Sequence, residues 1–108
     1  MNLLEKITKV LNDKKAIDVI SIPIAEKSTL ADYFVIATGT SSTHIKALAD
    51  EVEETLKKDH ILPHKIEGRD SNSWILMDYG DIVVNIFTQE NRLHYNLEEL
   101  WASIKKES

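Results

Sequence analysis

The sequence predicts an α/β fold, a mixed β-sheet covered by helices. Three observations predict it. Tyr33 to Thr38 and Ile82 to Phe87 are apolar almost throughout and rich in β-branched residues, as suits strands covered on both faces. Between them Ile45, Leu48, Ala49, Val52 and Leu56 recur at the spacing of an amphipathic helix. Helical and extended patterns also alternate along the chain: helix, strand, strand, helix, strand, strand, strand, helix. No repeat, linker or low-complexity segment interrupts them.

In chain order, Asn2 caps a first helix, with Glu5 at capping-box spacing. Leu4, Ile7 and Leu11 make its apolar face, with Val10 beside it, and the polar run Asn12-Asp13-Lys14-Lys15 ends it. Ile17 to Ile22 is a strand. Asp18, Ser21 and the following Pro23 place it nearer an edge than the centre. A polar loop, Glu26 to Leu30, leads to the Tyr33–Thr38 strand, which Gly39 stops. Ser41 or Ser42 caps the central helix, whose other face carries Lys46, Asp50, Glu53, Glu54 and Lys57, read as a solvated surface.

His60 to Pro63 connects onward, and residues from His64 to Gly68 include a short strand. Trp74 to Met77 and Ile82 to Phe87 flank Asp78-Tyr79-Gly80-Asp81, a turn signal in which Gly80 takes positive φ at low cost; together they form a hairpin. Asn96 caps a last helix with Glu99 at its third position. Leu97, Leu100, Trp101 and Ile104 form its apolar stripe, and Lys105 and Lys106 stand near its C-terminal end.

At 108 residues the chain is expected to be a single domain, residues 1–108. It has no cysteine, which excludes disulfides, Cys-ligated zinc and thiol catalysis. No signal peptide or bilayer-length apolar run is visible, so no membrane role is expected and the cytoplasm is the expected location. The net charge is −5, with 13 basic residues scattered among 18 acidic ones. That weighs against direct nucleic-acid contact, which needs clustered Lys and Arg. It suits a basic protein partner instead.

Several candidate sites carry competing readings. Gly39-Thr40-Ser41-Ser42 at a strand-to-helix junction invites phosphate binding, but it has neither a Walker-type Lys nor spaced glycines. A turn with an N-cap is preferred. Asp78 and Asp81 are a carboxylate pair for Mg²⁺ or a turn-stabilising pair. His44, His60, His64 and His94 show no zinc-ligand spacing, and no Ser-His-Asp set can be argued. No metal or cofactor is therefore expected. Trp101 is read as core, whereas Trp74, Arg92 and Tyr95 have the residue types of interface anchors.

The pattern Trp-x-Leu-x-Asp-Tyr-Gly-Asp-x-Val-Val from Trp74, a following Phe87, then Arg-x-x-Tyr-x-Leu-Glu-x-Leu-Trp from Arg92, resembles the ribosomal silencing factor (Iojap-like) family. The stretch from Asp32 to Ser42 and the pair Glu67-Gly68 extend the resemblance over nearly the whole chain. It implies a nucleotidyltransferase-like fold and a translational repressor of a stress response. That repressor would bind the large ribosomal subunit through ribosomal protein L-fourteen, block joining of the small subunit and need no catalysis. It also implies that Trp74, Asp78, Tyr79, Asp81, Asn85, Arg92, Tyr95 and Glu98 form the recognition surface or its support. The chain departs from the family in carrying Asn85 where a histidine is usual and His94 where an aromatic is frequent, so Asn85 keeps hydrogen bonding but not titration. Two other readings stand beside this one. One is a nucleotide-dependent transferase using Asp78 and Asp81, though their Asp-x-x-Asp spacing is not the Asp-x-Asp of such enzymes. The other is a homodimeric scaffold, with the free chain pairing through strand edges or a helix face.

Overall fold

A computed structural model describes residues 2–24, 32–69 and 73–89. Its elements are α1 (Leu3–Asp13), β1 (Ile17–Pro23), β2 (Tyr33–Gly39), α2 (Ser42–Lys58), β3 (Lys65–Glu67), β4 (Trp74–Asp78) and β5 (Ile82–Thr88). The five strands form one sheet in the order β1-β2-β5-β4-β3. β2 and β5 run parallel and the other pairs antiparallel, so the sheet is mixed. The two near-continuously apolar strands, β2 and β5, are adjacent and interior, with β5 at the centre, as their sequences require. β1 lies at one edge, where Pro23 is tolerated and a register shift between Ile17 and Ile20 absorbs Asp18 at φ 49°. The predicted last helix, from Asn96 onward, lies outside the described residues.

Strand alternation separates two faces. Val35, Ala37, Ile75, Met77, Tyr79, Ile82, Val84 and Ile86 point to one side. There they share a single core with Ile7, Val10 and Leu11 of α1 and Ile45, Leu48, Ala49, Val52 and Leu56 of α2. Both described helices therefore cover the same face. Phe34, Ile36, Val83, Asn85, Phe87, Trp74 and Leu76 belong to the other face by register. Ile36, Asn85 and Phe87 on it are also buried, and Ile24 gathers Ile22, Phe34 and Val83 into a smaller cluster.

The helix ends follow from local chemistry. Asn2 caps α1 by accepting the Glu5 N–H at 2.8 Å, and Ser41 caps α2 by accepting the His44 N–H at 3.1 Å. Both C-termini close in Schellman motifs without glycine. Lys15 at φ 66° donates to the Asn12 carbonyl, and Ala16 donates to Leu11. His60 at φ 61° donates to Lys57, and Ile61 donates to Leu56. Lys6 of α1 pairs with Asp59 after α2 at 2.7 Å, tying the two helices together. That cation holds the Asp59 carboxyl below the usual aspartate range.

Candidate recognition face around Trp74

The site is built on the β4–β5 hairpin. The Tyr79 N–H donates to the Ile82 carbonyl at 2.9 Å, so only Gly80 and Asp81 form the loop, a tighter turn than the four-residue signal predicted. Gly80 has φ 84°, and its N–H donates to Asp78 Oδ1 at 2.8 Å. Asp78 thus supports the turn as an Asx-type acceptor. Asp81 is exposed, and its carbonyl accepts from the N–H groups of Asp32 and Tyr33, fastening the start of β2 to the hairpin tip. Counting back from Tyr79 and Ile82, the register sets Asp78 opposite Val83, Leu76 opposite Asn85 and Trp74 opposite Phe87.

Trp74 is 37% exposed, one of few large apolar side chains left at the surface among the described residues. Its indole lies flat on the Phe87 ring, with centroids 5.6 Å apart and planes 12° apart. Its Nε1–H donates to Asn85 Oδ1 at 3.3 Å. Asn85 is only 2% exposed, and its Nδ2 has no hydrogen-bond partner among the described residues. A buried unpaired amide donor costs about 1–3 kcal/mol, so stability alone does not explain this side chain. Beside the indole opens a cavity of about 180 Å³, lined among the described residues by Glu67, Gly68, Trp74 and Leu76. Gly68 has φ 77°, and a Cβ there would come within 2.3 Å of the Trp74 carbonyl oxygen. Only glycine lets the connection after β3 pass so close to the first residue of β4.

The structure therefore groups Trp74, Asp78 and Asn85 on the face opposite the described helices and places Asp81 at the tip. It separates Tyr79 from them. Tyr79 is 6% exposed and part of the helix-side core, because strand alternation turns it away from its neighbour Asp78. Its place in that core suits the supporting role rather than direct contact. Its hydroxyl has no hydrogen-bond partner among the described residues, and burial pushes its pKa up to about 12. Glu53 adds to that rise and Arg69 opposes it. Arg69 itself bridges Asp50 at 3.0 Å and Glu53 at 2.9 Å, pinning the β3–β4 connection to α2. So part of the solvated face of α2 serves as an ion-pair platform. Arg92, Tyr95 and Glu98 lie outside the described residues. Residue-by-residue reading missed Phe87 as the floor beneath Trp74; counting register from the glycine turn would have found it.

The phosphate-loop alternative meets a filled junction. The Thr40 N–H donates to His44 Nδ1 at 2.9 Å, and His44 Nε2 lies 3.0 Å from the Lys14 carbonyl. A neutral imidazole protonated on Nε2 satisfies both contacts. Gly39 is needed here for closeness: a Cβ would lie 2.6 Å from Ile45 Cγ2. For the metal alternative, no three His, Asp or Glu side chains converge among the described residues. Nor is any described helix long and apolar enough to cross a membrane.

A mixed five-stranded sheet with both described helices on one face and a half-exposed tryptophan on the other defines an α/β fold. Comparison with known proteins then supplies the family. Residues 1–108 match the family described as "Ribosomal silencing factor during starvation", and the chain belongs to that family. It is 41% identical over 100 residues to "Ribosomal silencing factor RsfS" of Zymomonas mobilis, covering 93% of this chain and 75% of that protein. A mouse protein, "Mitochondrial assembly of ribosomal large subunit protein 1", is 33% identical over 102 residues, covering 92% of this chain and 45% of that one. A crystal structure from Chromobacterium violaceum superposes with a TM-score of 0.86 at 32% identity, covering 94% of this chain and 88% of that one. These matches bear on the mixed α/β sheet; the nucleotidyltransferase-like label remains an implication of the resemblance. Membership in a silencing-factor family makes this a chain with a translation-regulating, ribosome-associated role.

Proposed function

We propose that the chain binds the large ribosomal subunit through ribosomal protein L-fourteen and from there blocks joining of the small subunit. Its activity is occlusion, with no reaction and no cofactor. The observation that carries this reading is Trp74, a large aromatic held flat on Phe87 yet left at the surface. Tryptophan is one of the residue types enriched among interface anchors. The mouse relative's name, which mentions the ribosomal large subunit, supports the choice of subunit. The net charge of −5 suits a basic ribosomal protein. Asn85 underlies the anchor, Asp78 and Asp81 stand toward the hairpin tip at the other end of β4, and Arg92, Tyr95 and Glu98 are expected to extend the surface. Binding would act by mass action on free large subunits. The setting is the cytoplasm, with an organelle as the alternative that the mouse name suggests.

Gradient sedimentation with separated ribosomal subunits tests this. Co-migration with the large subunit alone, lost in Trp74→Ala, is expected. Co-migration with neither subunit would sink the proposal. The transferase reading has its own test, calorimetry with ATP or GTP and Mg²⁺. Micromolar binding abolished by Asp78→Asn would restore that reading, and no heat is expected. Sedimentation equilibrium of the free chain settles whether it pairs with itself.

A further inference from the structure

The geometry points to Asn85 as a positioning residue that orients Trp74 for its partner before the partner arrives. The inference rests on the reading of Trp74 as an anchor and concerns what sets the anchor's pose. A tryptophan at a strand end, 37% exposed, has several rotamers open to it unless something selects one. Two contacts among the described residues bear on that choice. Phe87 fixes the plane of the ring through the stacked contact. Stacking leaves the ring free to slide and turn within that plane, and the hydrogen bond from Nε1–H to Asn85 Oδ1 removes that freedom. Asn85 delivers the acceptor from a nearly sealed position on the adjacent strand, directly opposite Leu76, so it cannot follow the indole outward.

Position 85 is otherwise a place for an apolar side chain. It stands in the central strand between Val84 and Ile86, both fully buried, and it leaves its own Nδ2 without a partner among the described residues. A leucine, branched at the same Cγ, would bury no unpaired donor, and the part-buried indole N–H could turn toward water. A residue that the core would do better without, and whose one described side-chain hydrogen bond goes to the exposed anchor, is explained by the anchor. Restraint before binding raises affinity because the partner then need not select one ring pose from several.

The test uses the full chain with Asn85→Leu, Asn85→His and Trp74→Ala. In His, Nδ1 stands as many bonds from the backbone as Oδ1 does in Asn, so a neutral imidazole keeps the acceptor. The first readout is the Trp74 indole N–H resonance and its exchange with solvent, assigned by its absence in Trp74→Ala. The second is thermal stability, and the third is binding to purified large subunits. For Asn85→Leu the expected results are a shifted, faster-exchanging indole N–H, a melting temperature equal to or above the parent's, and affinity lowered by about tenfold. Asn85→His is expected to return both the indole signal and the affinity toward the parent. An indole N–H unchanged in Asn85→Leu overturns the proposal. So does a released indole with undiminished affinity while Trp74→Ala weakens binding. Undiminished affinity in Trp74→Ala would instead overturn the anchor reading beneath it, and the indole N–H would still report whether Asn85 restrains the ring.

Discussion

At the scale of single residues, neighbours in sequence part company across the sheet. Asp78 and Tyr79 are adjacent, yet one supports the turn on the Trp74 face and the other is sealed in the helix-side core. Tyr79 therefore yields a pH prediction. Its folded pKa, about 12, lies above the ordinary tyrosine value of 10.0. Its contribution to stability is whole below pH 10 and is lost as pH climbs toward 12. Tyr79→Phe is expected to match or exceed the parent at pH 7, by up to about 1 kcal/mol, because it removes an unpaired buried hydroxyl. The margin should widen at pH 11. Urea unfolding at both pH values measures this, and equal margins would mean that the hydroxyl ionises as freely in the fold as out of it. Gly68 yields a second prediction. Gly68→Ala meets a backbone oxygen at 2.3 Å and a φ of 77°, so it should cost more than about 2 kcal/mol. Denaturant midpoints check it; a loss below half that value would show that the connection shifts to make room.

At the scale of elements, both described helices end on left-handed residues that are not glycine. Lys15 and His60 each hold a conformation that costs an L-residue about 1–2 kcal/mol relative to glycine's easy access. Lys15→Gly and His60→Gly are therefore expected to raise stability by about 0.5–1 kcal/mol each, after allowing for glycine's freer unfolded chain. Melting curves of the single and double variants test this, with near-additive gains expected because the two caps share no partner. Unchanged or lowered stability would show that the side chains of Lys15 or His60 contribute more than their backbones cost. The Lys6–Asp59 pair works at the same scale. The lowered Asp59 pKa means its contribution is present above the usual aspartate range and is lost as pH falls through the folded value.

At the scale of the whole molecule, the sheet divides labour: described helices on one side, Trp74 and its supports on the other. Glu54 is exposed on α2, on the helix side. Glu54→Gln should therefore leave large-subunit binding unchanged, whereas Trp74→Ala weakens it. If both variants bound equally poorly, the interface would have to include the helix side. The net charge of −5 acts over the same scale. The association rate with a basic partner should fall as salt rises, because the Debye length shrinks from about 10 Å at 0.1 M to about 3 Å at 1 M. Stopped-flow mixing across that range checks it; a flat response would mean that charge plays no part in the encounter.

The sequence by itself determined the elements and their kinds. Apolar periodicity, the Asn2 and Ser41 caps and the Gly80 turn are local signals, and each acts within a few residues of where it is written. Even the interior places of β2 and β5 were legible, because strands buried on both faces must be apolar on both. Tertiary structure alone decided which face each functional residue serves. Tyr79 and Trp74 look alike as aromatics of one motif, but the strand's alternation sends one inward and leaves the other half exposed. Tertiary structure also joined Arg69 to Asp50 and Glu53, and Asn85 to Trp74. These partners lie 11 to 19 residues apart, and only packing sets them within hydrogen-bond distance. No local signal predicts a buried amide with one end unpaired, because its reason lies in the side chain it holds.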